Sequence, residues 1–155
     1  MTVDLEALGH AVKRAQYRNH RTMDAVLREA GVSLVQWDAL RTIERMPRAS
    51  NHDLAVATFQ SDQAFGALAA RLVDRGLITR TAGQGRRIEH SLTAGGHDAL
   101  EHGHRLATTT LEELFAPLDE AQRAALEQIL ASLIEDDQVA TLRPLPGGAR
   151  SARSR

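Results

Sequence analysis

The stretch from Ser61 to Gly96, SDQAFGALAARLVDRGLITRTAGQGRRIEHSLTAGG, decides how the rest of the chain is read. Its first part sets Phe65, Leu68, Ala69, Leu72 and Val73 at the three-four spacing of a buried helix face. Ser61, Gln63, Gly66, Ala67, Ala70 and Arg71 fall on the other faces, and most of these are small enough to let the helix approach a surface closely. Gly76 stops this helix as its C-terminal cap. Leu77 to Thr81 and Arg87 to Leu92 are short extended segments joined by AGQGR, whose glycines permit the positive backbone angles of a hairpin turn. Thr93 opens a further helix, so the order is helix, ribbon with an arginine-bearing tip, helix.

Working outward from this stretch, Leu5, Leu8, Val12, Ala15, Asn19, Thr22 and Val26 follow helical spacing and predict a long first helix over 4–30. A second subunit can cover such a stripe. Gly31 ends the helix, and Ser33 with Gln36 forms a capping-box start for a second helix carrying Leu34, Trp37, Leu40 and Ile43. Pro47 closes that element, and Ser50 with Asp53 starts a short third helix bearing Leu54, Ala55 and Thr58. Past the ribbon, the fifth helix carries Leu100, His104, Ala107, Leu111 and Leu114 and halts before Pro117. Asp119 with Gln122 then caps a sixth helix carrying Leu126, Ile129, Leu130 and Leu133. The segment 142–155, rich in Pro, Gly, Ser and Arg, has little to bury and is expected to be a mobile basic tail.

Composition narrows the class. With 155 residues, 43% hydrophobic but only 3% aromatic, the chain suits one compact, mainly helical domain, or one such domain with an extension that pairs with a second copy. The absence of cysteine removes disulfides, thiolate metal sites and thiol redox sensing together. No apolar run approaches the length that spans a bilayer, and the N-terminal TVDLEALGH is not a targeting segment, so no membrane is expected and the expected location is the cytoplasm. The net charge of -1 conceals a polarity: Ser61 to His90 holds five arginines against three acids, whereas Thr110 to Ala140 holds eight acids against one arginine. One end can face phosphates and the other cannot. No phosphate-binding GxxxxGK, dinucleotide GxGxxG or nucleophile with a base at characteristic spacing is present, so neither an enzyme nor a cofactor is expected.

Two short helices joined by the turn from Thr58 to Ser61, followed by a ribbon, match a winged helix-turn-helix, in which the second helix enters the major groove of double-stranded DNA and the ribbon tip reaches the backbone or minor groove. The candidate contacts are Ser50, Ser61, Asp62, Gln63, Gly66, Ala67, Arg71, Arg80, Arg86 and Arg87. Gln63 is the best reader, because its amide can pair bidentately with adenine, and Arg86 or Arg87 suits a narrow minor groove. Asp62 is awkward beside phosphates; it can accept from a cytosine amino group, but the expectation is that it caps the helix start. A plain reading also remains open, a small helical domain with a solvated hairpin.

The residues now carry a resemblance. GLITR, the glycine-bearing turn, GRR and SLTAGG leading into a long helix resemble the wing and linker of the MarR family of transcriptional regulators. GVSLVQWDALRTI resembles that family's second helix and FGALAARLVDRGLI its recognition helix; the similarity covers about Asp4 to Asp137. The resemblance implies a homodimer with dimerisation helices over 4–30 and 94–140 and a DNA-binding domain over 33–93, acting on a pseudo-palindromic operator as a repressor. It also implies release by a small ligand, commonly aromatic or phenolic. By position Arg86 resembles the family's wing arginine, and the acidic residue usual two positions earlier is Gln84 here, which removes the ion pair that steadies that arginine.

A ligand region is sketched by His10, Arg14, Tyr17, Arg18, Arg21, Trp37, Phe59 and Phe65, rings and cations suited to an aromatic acid, although Trp37 also sits on its helix's core stripe and the arginines also read as solvated surface. A competing reading is a metal-responsive regulator, since His97, Glu101 and His104 project from one face of the fifth helix and can meet His10 or His20. Without a fixed fourth ligand this spacing is unspecific, and no metal is assigned. A third class is a protein-interaction module that keeps the fold without reading DNA.

Overall fold

The computed structural model describes residues 2–135, so the tail at 142–155 and the end of the segment 94–140 lie outside the described residues. The order is α1 (Leu5–Leu27), α2 (Leu34–Arg45), α3 (Asn51–Ala57), α4 (Asp62–Asp74), β1 (Ile78–Ala82), β2 (Ile88–Leu92), α5 (Ala94–Phe115) and α6 (Glu120–Glu135). The fold is thus mainly α, a winged helix-turn-helix with one two-stranded antiparallel sheet.

Local chemistry sets the boundaries. Asp4 caps α1 by accepting from the Glu6 and Ala7 amides, and a single 3-10 turn over Arg28–Ala30 leads to Gly31 at φ 75°. The Val32 amide then reaches back to the Leu27 carbonyl, closing the helix and turning the chain toward α2. Ser33 with Gln36 and Ser50 with Asp53 form reciprocal capping boxes for α2 and α3. Gly76, at φ 69°, ends α4 in the same way as Gly31 ends α1, with the Leu77 amide bonded to the Leu72 carbonyl. Each strand of the ribbon starts one residue later than its sequence suggests, and the register sets Ile78 against Leu92 and Arg80 against His90. Asp119 and Gln122 cap α6 reciprocally through bonds of 2.8 and 3.0 Å.

One expectation is corrected. Ser61, not Asp62, caps α4, its hydroxyl accepting from the Ala64 amide at 3.1 Å. Asp62 occupies the first helical position instead, where its carboxylate faces the positive end of the helix but makes no capping bond.

The chain divides into two compact units, one ending at Leu114 and one beginning at Phe115. The core of the first joins Met23 and Leu27 of α1, Trp37, Leu40 and Ile43 of α2, Leu54 of α3, Phe65, Leu68 and Leu72 of α4, Ile78 of β1, and Leu100 and Ala107 of α5. Trp37 is the hinge pin of this core. Its indole N–H donates to the Leu100 carbonyl at 3.2 Å, His104 meets its ring edge-on at 5.2 Å, and Arg41 lies over it at 4.9 Å. Gly103 is buried against Trp37 because a larger residue would collide with the indole. Only the C-terminal end of α1 enters this core; Leu5, Leu8 and Val12 remain exposed.

Candidate nucleic-acid interface

α3 and α4 form the two helices of the motif, and the ribbon follows directly from the α4 terminus. The buried face of α4 is Phe65, Leu68, Ala69 and Leu72, the face its spacing predicts. Ser61, Asp62, Gln63, Ala67 and Arg71 are exposed on the opposite side, so a flat or grooved surface can reach them. Gly66 is half-buried, and its carbonyl accepts from Arg80 Nη2 at 3.3 Å, a bond that straps the first strand of the wing onto α4. Arg80 therefore serves the fit between wing and helix as well as its charge. Ser50 is half-buried and committed locally: its hydroxyl accepts from the Asp53 amide and lies 2.6 Å from Asp53 Oδ2. The Ser50 hydroxyl, and the Ser50 amide that donates to the same oxygen at 3.0 Å, hold the Asp53 carboxyl below its ordinary value.

The wing tip is formed by residues 83–87, closed by a bond of 2.8 Å from the Gly83 amide to the Arg87 carbonyl. Arg86 and Arg87 are both exposed, and among the described residues neither enters an ion pair. A cation without an internal partner is free to meet a phosphate.

At the base of the wing, His90 is 6% exposed and packs edge-on against Phe65 at 6.2 Å. Its Nδ1 is buried without a hydrogen-bond partner. Burial, helped by the facing Arg80 charge, pushes its pKa below the usual histidine value, so the ring is neutral where α4 and the sheet meet.

Two side chains that sequence reasoning passed over join the helices of the motif. Asn51 Nδ2 donates to the Asp62 carbonyl at 3.1 Å, and His52 Nδ1 lies 2.9 Å from Asp62 Oδ1. A residue at a helix start facing an acid ten positions later carries no periodic signature, which is why neither was legible.

The residues sketched as a ligand region are not brought together within one chain. Trp37 and Phe65 are core residues, at 4% and 0% exposure, and Phe59 is 93% exposed in the turn before α4. Phe59 has φ 55°, a left-handed conformation uncommon for a bulky residue. His10, Arg14, Tyr17, Arg18 and Arg21 are all exposed on α1; Arg14, Tyr17 and Arg18 line an open groove with Ala11 and Ala15, and Arg21 lies 5.7 Å from the Tyr17 ring.

The three metal candidates also have separate partners. His97 Nδ1 lies 3.3 Å from Glu44, Glu101 pairs with Arg105 at 3.3 Å, and His104 meets Trp37. Among the described residues no group of three or more histidines and acids could hold a metal ion. No helix among them is long and apolar enough to cross a membrane.

Comparison with known proteins agrees with this geometry. Residues 30–88 match the family model described as MarR family, a span running from the turn after α1 to the first residue of the second wing strand. No curated protein matches the chain. Among solved structures, a probable transcriptional regulator from Pseudomonas aeruginosa is 28% identical, with a TM-score of 0.73 over 81% of this chain and 95% of that one. A mutant MarR from E. coli complexed with operator DNA is 22% identical, with a TM-score of 0.77 over 82% of this chain and 93% of that one. BpsR of Bordetella bronchiseptica, whose structure concerns regulation of DNA binding by 6-hydroxynicotinic acid, is 21% identical, with a TM-score of 0.74 over 86% of this chain and 98% of that one. With the recognition helix and the wing both inside or beside the matched segment, residues 30–88 are similar to the MarR family, and the chain shares the winged-helix fold of these solved regulators.

Proposed function

We propose that two copies of the chain form a repressor that sits on a pseudo-palindromic operator and is released by a small aromatic or phenolic acid. The observation that carries the reading is the exposed face of α4 beside a wing tip whose Arg86 and Arg87 enter no ion pair among the described residues. Gln63 and Asp62 offer amide and carboxylate groups to base edges, and Ser61, Arg71, Arg86 and Arg87 offer donors to phosphates. With Ser50 occupied by its capping bonds and Arg80 strapped to α4, these two supply position more than contact.

The dimer reading rests on apolar surface that a lone chain leaves wet. Leu5, Leu8 and Val12 on α1, and Ile129, Leu133 and Ile134 on α6, are each 46% to 76% exposed. A second copy that covers them gives the segments 4–30 and 94–140 their dimerisation role and leaves 33–93 to read DNA. Ligand release is supported by the relative regulated by 6-hydroxynicotinic acid and by the cations of α1. The residues proposed for the ligand, His10, Arg14, Tyr17, Arg18 and Arg21, need a surface from the second copy to become a pocket, because within one chain Arg14, Tyr17 and Arg18 line an open groove and His10 and Arg21 are exposed beside it on α1. Binding there shifts the population of recognition-helix spacings, which is how a distant acid loosens DNA.

The test is binding of the full chain to the DNA upstream of its own gene. Arg86→Ala weakens that binding and lowers the salt slope by about one while the sedimentation coefficient stays that of the dimer. Unchanged affinity refutes the wing's role. A sedimentation coefficient of a lone chain refutes the dimer.

A further inference from the structure

The first residue of the recognition helix is gripped from a neighbouring helix. Ser61 takes over the capping of α4, so the Asp62 carboxylate is released from that duty, and it meets His52 instead. His52 Nδ1 lies 2.9 Å from Oδ1 and 3.2 Å from Oδ2, so one ring nitrogen addresses both oxygens and holds the direction in which the carboxylate points. Asn51, one residue earlier, holds the Asp62 main chain through its carbonyl at 3.1 Å. Backbone and side chain of the same residue are thus both held from the first turn of α3.

This grip is not a device for folding. The two side chains are 69% and 61% exposed, and ion pairs so exposed contribute little to stability. Its effect is on direction. A carboxylate oxygen has more than one acceptor position, so an oxygen engaged by the ring can still accept a second bond from outside. The major groove offers two amine donors, cytosine N4 and adenine N6, and a carboxylate suits cytosine because the adenine amine stands beside the N7 acceptor, which repels it. A free carboxylate at this place is turned aside by the phosphates, whereas one held by a donor on the protein keeps its pose.

We propose that His52 is a positioning residue for sequence reading, holding the Asp62 carboxylate at the leading end of α4 so that it accepts from the N4 amine of a cytosine. The inference rests on the reading above that α4 enters the major groove. His52 itself touches no base; it acts through Asp62. Asparagine at this position places an amide nitrogen near the site of Nδ1 and so keeps the donor, whereas alanine removes it.

The experiment is selection of binding sites from a pool of fully randomised duplexes by the full-length chain, run in parallel for wild type, Asp62→Ala, His52→Ala and His52→Asn, with thermal melting of each by circular dichroism. Wild type enriches a cytosine at one position in each half-site. Asp62→Ala and His52→Ala lose that preference by at least about five-fold at that position alone, and His52→Asn restores it. All four melt alike. If wild type enriches a site and His52→Ala enriches the same one with the same preference, the proposal is overturned while the DNA-reading function stands. A loss spread over every position that His52→Asn does not restore also overturns it, since His52 is then a phosphate or folding contact. If wild type enriches no sequence at all, the regulator reading fails and this inference with it.

Discussion

Replacing Gly96 by alanine tests the junction where the reading head meets the long helix α5. The start of α5 is docked on the base of the wing by two bonds, the Thr93 amide donating to the Leu77 carbonyl at 3.0 Å and the Thr93 hydroxyl to the Gly76 carbonyl at 2.6 Å, and the Gly96 amide donates to the same Thr93 hydroxyl at 3.0 Å. A methyl group at Gly96 falls inside contact distance of the Leu77 carbonyl oxygen, 3.1 Å from the Leu77 carbonyl carbon and 3.4 Å from Leu92 Cβ. The obstruction is backbone, and the oxygen in the way is the one that accepts from Thr93, so relief requires breaking the dock. Overpacking of this kind costs about 3 kcal/mol, and the gain in helix propensity from glycine to alanine returns at most about 1 kcal/mol. The net loss of about 2 kcal/mol lowers the melting temperature by roughly 4–8 °C for a chain of this size.

Gly95→Ala is the matched control, because its methyl meets the Gly76 oxygen and the Thr93 hydroxyl at 3.7 Å, an ordinary contact. It gains the propensity without the obstruction and is expected to melt about 2–4 °C above wild type. Thermal melting by circular dichroism or calorimetry reads both. If Gly96→Ala melts no lower than wild type, α5 does not start against the wing base.

Other outcomes follow from the same geometry. His90 folds neutral, with its pKa below that of the unfolded chain, so below about pH 6.5 the unfolded state takes up a proton that the folded state declines. Stability is therefore unaffected by this group above that range and falls as pH drops through it; His90→Leu should flatten the acid side of a plot of melting temperature against pH, and an unchanged slope would exclude His90. Arg75 reaches back from the end of α4 to Gln36 Oε1 at 2.8 Å and to the Gly31 carbonyl, so Arg75→Ala should cost about 1 kcal/mol in urea unfolding. Phe59→Gly should be at least as stable as wild type, because glycine accepts φ 55° freely, and Phe59→Val should fall below it by about 1 kcal/mol; equal stabilities would remove the strain argument. Titration with zinc should leave both melting temperature and DNA affinity unchanged, since His97, Glu101 and His104 each face a different neighbour.

Much of the fold is legible in sequence because its boundaries are local. Caps at Ser33, Ser50 and Asp119, glycines at 31 and 76, and the spacing of Phe65, Leu68 and Leu72 each involve residues within a few positions of one another. The one cap misread, at α4, turned on two adjacent residues that both suit the position: the hydroxyl of Ser61 reaches the Ala64 amide, and Asp62 is turned toward His52. The ligand region was the least legible part. Rings and cations can be gathered on paper by type, but Trp37 and Phe65 are buried by packing, Phe59 is held outward by the backbone turn, and the cations of α1 stay on an exposed face.

By itself, then, the sequence determined the helices, the ribbon, the face of α4 that stays free and the arginines at the wing tip, since periodicity and capping are short-range and write themselves into neighbouring residues. Only the tertiary structure decided what crosses long separations: Trp37 bonded to Leu100, Arg75 returned to Gly31, Arg80 strapped to Gly66 and His52 set against Asp62. Such pairs form where packed helices happen to bring a donor and an acceptor together, and that proximity depends on how whole faces fit, which no local pattern encodes.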